Sequence, residues 1–164
     1  GDTSVHEYPT SEQMAEIAIS TARVVRLFGF NPKVAFVSHS TFGQPLTSRT
    51  KHIRNAVDIL KEQKVDFEFD GDMQPDVALN PEYEELYPFS KIVGKANILI
   101  MPGQHSAAIS YKMMKTLGDT KVIGPLLIGL GLPIEIAPLR SSTSELINLA
   151  SIAAYSSDVI DYKK

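Results

Sequence analysis

Apolar residues along this chain alternate between a helical and an extended spacing, and that alternation constrains the fold more than any other feature. Met14, Ile17, Ala18, Ala22, Val25 and Leu27 recur at near-helical intervals. Thr10 can cap this segment, Gln13 three residues on can return the bond, and Gly29 provides a stop. KVAFVSH (33–39) is then an apolar strand with a polar end, and Ser48 opens a second helix through Ile53, Val57 and Leu60. VDFEFD (65–70) and ANILIMPG (96–103) read as strands, the latter buried on both faces, with one helical turn in PEYEELYPF (81–89) between them. HSAAISYKMMKTLG (105–118) is a helix closed by Gly118, and VIGPLLIG (122–129) and LPIEIAP (132–138) read as two further strands. A final helix, TSELINLASIAAY (143–155), carries Leu146, Leu149, Ile152 and Ala153 on one side.

Strand and helix taking turns in this way predict an α/β three-layer sandwich with a mostly parallel sheet. Ligands in such sheets gather at the carboxyl ends of the strands. The loops there are SHSTFGQP (38–45), DGDMQPD (70–76), MPGQHS (101–106) and PLRSST (138–143), so function is sought in those four.

Composition removes several classes of function. The 164 residues suffice for one ordinary domain, and 43% hydrophobic against 21% charged residues is a globular balance. With 16 basic and 19 acidic residues and no long same-sign run, a nucleic-acid face built on many phosphate contacts is not expected. The absence of cysteine excludes disulfides, thiolate metal sites and cysteine nucleophiles. The longest apolar stretch is interrupted by glycine and proline and is too short to span a bilayer, and the N-terminus lacks a signal-peptide shape. A cytoplasmic location is the expectation. The chain opens on Gly1-Asp2 without an initiator methionine, which suggests a domain cut from a longer polypeptide.

Within the four loops the candidate chemistry is modest. Gly-rich GPLLIGLGLP lacks the Lys-Ser/Thr pair of a phosphate loop and reads as tight turns. His6, His39, His52 and His105 form no metal-ligand spacing, although His39 and His105 lie on strand-end loops. Ser38, Ser40 and Thr41, with backbone donors near Gly43 and a helix start nearby, can either hold a phosphate or cap their own turns. Arg140 beside three hydroxyls can clamp an anion or stand on the surface. Asp70, Asp72 and Asp76 fail the EF-hand pattern, leaving a metal site, an acid/base pair or strand-end caps as readings.

Taken in order, DTSVHEYPTSEQMAEIAISTA, VAFVSHSTFG, DGDMQPDVAL, ANILIMPGQHSAAISYK, IGPLLIGLGLPIEI and LINLASIAA resemble the phosphate acetyl/butyryltransferase family over nearly the whole chain. VSHSTFG and the opening block look closest to the phosphotransacetylase-like C-terminal domain of hybrid NADP-dependent malic enzymes. The resemblance implies an isocitrate/isopropylmalate dehydrogenase-like (phosphotransacetylase) fold of two subdomains with a CoA site in the cleft between them. Residues 1–128 would form the second subdomain and 129–164 the strand and helix returning to the first, whose N-terminal part would lie outside this sequence. It further implies acetyl-CoA or CoA as ligand and allosteric effector, a homo-oligomer (a dimer), and a malic enzyme domain in the parent chain. NADP and a divalent metal would belong only to that absent domain. No metal, nucleic acid or membrane partner is expected for this chain.

The same resemblance marks where chemistry is altered. The Ser-Arg pair and following Asp of active transferases, which hold acetyl phosphate and assist thiol deprotonation, fall without gaps on Pro138, Leu139 and Glu145. Arg140 matches the arginine only if the loop slips by one residue, and Leu146 then replaces the Asp. In the PDLDAGN-like run the acids become Gly103 and His105 and the Asn becomes Ala108. The expectation is a regulatory acetyl-CoA-binding domain without transferase activity, the alternative being an active phosphate acetyl/butyryltransferase that converts acetyl phosphate and CoA to acetyl-CoA and phosphate. Ser40, Thr41, Phe42 and Gly43 are the candidate contacts for phosphate or pantetheine, with Tyr111, Lys112 and Arg140 on the rim. Asp70-Gly71-Asp72-Met73-Gln74 resembles the family's DGE(M/L)Q, so these acids read as caps and braces rather than a metal site.

Overall fold

The computed structural model describes residues 1–118, 122–130 and 132–159, which fall into two compact units, Gly1–Tyr111 and Lys112–Lys164. The first unit contains helix α1 (Ser11–Leu27), strand β1 (Lys33–Val37), helix α2 (Ser48–Glu62), strand β2 (Glu68–Met73), the short helix α3 (Pro75–Leu79), a 3-10 turn (Pro81–Glu85) and strand β3 (Ile98–Ile100). Helix α4 (Gln104–Leu117) begins in the first unit, and helix α5 (Thr143–Val159) lies in the second.

The three strands form one parallel sheet in the order β2-β1-β3. From β1 the chain moves one way to β2 and then returns past β1 to β3. Right-handed crossovers require such opposite moves to pass over opposite faces. Accordingly, α2 covers one face beside α1, while α3 and residues 86–97 cover the other. Val34, Phe36, Phe69, Ile98 and Ile100 meet Met14, Ala15, Ala18 and Ala22 of α1 and Ile53, Ala56, Val57 and Leu60 of α2. The side chains that alternate to the second face, Ala35 and Val37, meet Met73, Ala78, Ile92 and Ala96. The α1 cap is as the sequence predicts: Thr10 Oγ1 accepts the Gln13 N–H at 3.2 Å and the Gln13 side chain accepts the Thr10 N–H at 2.8 Å. Helix α2 begins at Ser48 as expected and is capped by Thr47 in a reciprocal pair with Thr50.

Strand β2 differs from its prediction in an informative way. The expected strand, 65–70, ends where DGDM begins, but the ladder runs through Glu68–Met73. Polar residues enter the sheet because the side chains of Asp70 and Asp72 both find hydrogen-bond donors there. At Gly71 the strand comes so close to β1 that an added Cβ would lie 2.7 Å from both the Cβ and the carbonyl oxygen of Phe36. A register irregularity follows between Phe36 and Val37. The Gly71–Asp72 peptide bond is cis.

The predicted strands at 122–129 and 132–138 are corrected: the described residues there join no ladder. A strand requires a neighbouring backbone edge, and none of the described residues supplies one. Ile123, Leu132, Ile134 and Ile136 remain exposed as a result. Gly131 lies outside the described residues. No helix among them is long and apolar enough to cross a membrane.

Candidate functional site

At the carboxyl end of β1 the chain makes a tight hairpin. Thr41 N–H donates to the Gln44 carbonyl at 3.3 Å and Gln44 N–H returns a bond to the Thr41 carbonyl at 3.1 Å. Both central residues have left-handed backbone, Phe42 at φ 50° and Gly43 at φ 83°, as a type I′ turn requires. Glycine adopts that conformation freely, whereas phenylalanine is held there by its surroundings. Phe42 N–H donates to the Asp72 carbonyl at 2.6 Å. Its ring packs against Tyr87 and Phe89, with centroids 5.4 and 4.8 Å away.

The hairpin is fastened to β2 by side chains as well. Ser40, fully buried, donates its hydroxyl to Asp72 Oδ2. Thr41 Oγ1 accepts the Gln74 N–H at 3.2 Å, and Gln74 Nε2 donates to the His39 carbonyl at 3.2 Å. On the other side, the Arg54 guanidinium lies over Gly43, where a Cβ would fall 2.5 Å from Arg54 Nη1. Arg54 is exposed and makes no hydrogen bond or ion pair among the described residues.

Ser40, Thr41, Phe42 and Gly43 are therefore brought together, but in unequal roles. The Ser40 and Thr41 hydroxyls are engaged within the protein, Phe42 is packed and Gly43 is buried beneath Arg54, so exposed Arg54 and Gln44 form the more available edge. Arg54, Tyr87 and Phe89 were not singled out by sequence reasoning, and Asp72 was singled out only among the three acids, without its partner Ser40. Arg54 reads as an ordinary helix-face cation, and the Ser40–Asp72 pair joins residues 32 apart.

The three acids diverge. Asp70 Oδ1 accepts the Gly71 N–H at 2.9 Å, and its Oδ2 accepts the Lys91 N–H at 2.8 Å, bracing residues 90–92. Asp72 faces Ser40, and exposed Asp76 meets the Tyr83 hydroxyl at 3.4 Å. Among the described residues no three His, Cys, Asp or Glu side chains gather as a metal-holding group. The histidines are also dispersed. His6 meets Asp2 at 2.7 Å, and His52 ties α2 to Pro9 and Ser11. His39 is exposed, and His105 stacks on Tyr8 at 6.4 Å.

Tyr111 and Lys112 are neighbours on α4, half-buried and exposed respectively. Pro138, Leu139 and Arg140 precede α5 and are all exposed. Glu145 is committed to capping that helix. Its Oε2 accepts the Ser142 N–H at 2.7 Å and the Ser142 hydroxyl at 3.0 Å, while Oε1 meets Lys115 at 2.9 Å. These donors, the Ser142 N–H foremost and then Lys115, pull the carboxyl down to about 2. A carboxylate so stabilised is a poor proton acceptor at neutral pH.

An open cleft of about 480 Å³ lies at the opposite edge of the sheet, lined by Arg26, Pro32, Val65, Asp66, Phe67 and Lys91 among others. Arg26 and Asp66 there are paired with each other at 2.8 Å. The cleft sits near the start of β2, away from the carboxyl edge where parallel sheets present their ligands.

The family model described as phosphate acetyl/butaryl transferase matches residues 1–154. An NADP-dependent malic enzyme of Rhizobium meliloti (strain 1021) is 50% identical over 154 residues, covering 94% of this chain but 20% of the relative. The phosphate acetyltransferase of Bacillus subtilis (strain 168) is 34% identical over 154 residues, covering 93% of this chain and 48% of that enzyme. A crystal structure of a phosphotransacetylase from Streptococcus pyogenes superposes with a TM-score of 0.92 at 33% identity, covering 98% of this chain and 49% of that one. The chain thus spans about a fifth of its malic enzyme relatives and about half of its phosphotransacetylase relatives. With the family model matched over residues 1–154 of its 164, this chain belongs to the phosphate acetyl/butaryl transferase family.

Proposed function

We propose that this chain is the phosphotransacetylase-like regulatory part of an NADP-dependent malic enzyme in the cytoplasm, binding acetyl-CoA as an allosteric effector without transferring its acyl group. The observation that carries the reading is Glu145. At the position where the family resemblance calls for an acid that assists thiol deprotonation, its carboxylate is occupied by Ser142 and Lys115 and held at about 2. The neighbouring Pro138 and Leu139 offer no charge to hold acetyl phosphate. The 50% identity to a malic enzyme supports the parentage. NADP and a divalent metal would act only in the malic enzyme domain.

In this reading residues 1–128 form the second subdomain of an isocitrate/isopropylmalate dehydrogenase-like architecture, and 129–164 return to the first. Exposed Leu117, Ile123, Leu132, Ile136, Ile147 and Tyr155 are apolar enough to be covered by other protein. We assign that cover to the remainder of the architecture and place homodimerisation in the same domain. Allostery then requires acetyl-CoA to bind two states of the whole protein with different affinity.

An active phosphate acyltransferase is the second reading, favoured by the 34% identity to the Bacillus subtilis enzyme and by the exposure of Arg140. A coupled thiol assay with acetyl phosphate and CoA separates the two. The regulatory reading predicts no turnover above background, and turnover abolished by Arg140→Ala would replace it with the second.

A further inference from the structure

Asp72 is wholly buried, and its Oδ1 is a buried side-chain oxygen with no hydrogen-bond partner among the described residues. Buried acceptors are nearly always satisfied, and an unsatisfied one on an acid is costly. Next to it, Phe42 occupies left-handed backbone, an unfavourable conformation for a bulky residue. Both departures belong to one junction, because Ser40 Oγ donates to Asp72 Oδ2 and Phe42 N–H donates to the Asp72 carbonyl. Local cost of this kind persists where surrounding structure imposes it, and it clusters at ligand-contacting elements.

What the junction achieves is placement. β1 is the central strand and β2 lies beside it, so a turn bolted to both cannot drift. Gly43 is thereby held under Arg54, a cation that no acid among the described residues neutralises. We propose that Asp72 is a positioning residue that, through Ser40, fixes the Thr41–Gln44 hairpin in the form that meets the acyl-CoA ligand. The ligand half of this inference rests on the function proposed above; the positioning half does not. Asp72 itself touches no ligand. Its role is to keep Gly43 and Arg54 in register.

The test is amide hydrogen exchange on the intact protein without ligand, followed by acetyl-CoA titration of the same samples. Ser40→Ala removes the hydroxyl that engages Asp72. Exchange at the Phe42 and Gln44 amides should rise about tenfold more than at Ala56 and Leu60 in α2. The acetyl-CoA Kd should rise about tenfold, and Tm should fall by a few degrees because Asp72 Oδ2 loses its buried donor. Asp72→Asn retains an acceptor for Ser40 and should give a smaller rise, and the double variant should be no worse than Ser40→Ala alone, because the pair acts as a unit. Unchanged exchange in both single variants overturns the proposal, as does faster exchange with an unchanged Kd. Wild-type protein that fails to bind acetyl-CoA overturns the ligand reading, while the exchange measurement still decides whether Asp72 holds the hairpin.

Discussion

Replacing Gly71 by alanine tests whether β2 truly presses against β1 beneath the hairpin. The added Cβ would lie 2.7 Å from the Phe36 Cβ and 2.7 Å from its carbonyl oxygen, at a φ of 154°. Carbon atoms rest at about 3.5–4.0 Å, so roughly 1 Å must be recovered by moving backbone rather than by turning a side chain. Overpacking in a rigid core costs about 1–3 kcal/mol, and the backbone conformation adds about 1 kcal/mol, giving about 3 kcal/mol together. For a chain of this size that lowers Tm by about 9 °C. Gly29→Ala is the control. Gly29 has φ 81° but nothing within 4 Å of its Cβ position, so only the conformational cost of about 1 kcal/mol applies. Urea denaturation followed by circular dichroism reads both values on the purified protein. A Gly71→Ala loss no larger than that of Gly29→Ala would refute the close approach and with it the described β1–β2 geometry.

Three further outcomes follow from particular contacts. Glu145 is held at about 2 against an ordinary 4.5, so the unfolded chain binds more protons between those values. Its stabilising effect should be complete above about pH 4.5 and disappear as pH falls toward 2, and Glu145→Gln should flatten that part of an acid-denaturation profile. Thr10→Ala removes the α1 cap and should cost about 1 kcal/mol in the same denaturation assay. Phe36 is fully buried between the sheet and α1/α2, and Phe36→Ala should cost about 3–5 kcal/mol, enough to halve the yield of folded protein or worse in a solubility assay.

The fold was largely readable because its signals are local. Spacing of Met14, Ala18 and Ala22 and the Thr10–Gln13 cap define α1 without reference to anything else. Val34–Val37 form a short apolar run that needs a sheet on both sides. Beyond these, the reading ran out where partners are distant. Asp70 and Asp72 read as caps and braces in the sequence, but the residues they hold, Lys91 and Ser40, lie 21 and 32 positions away. Ile134 and Ile136 have strand-like spacing but no edge to join among the described residues, so periodicity alone misassigned them. At the site, the sequence marks the hydroxyl loop as a candidate, but it could not tell that Ser40 faces inward or that Arg54 overlies Gly43. Glu145 was legible as a departure from the family pattern, yet its capping role depends on Ser142 and Lys115 being in place.

Calorimetric titration of acetyl-CoA into the intact protein tests the account most directly. A saturable isotherm with a Kd well below millimolar, and no accompanying thiol or phosphate turnover, is the predicted result. No binding up to millimolar acetyl-CoA would contradict it.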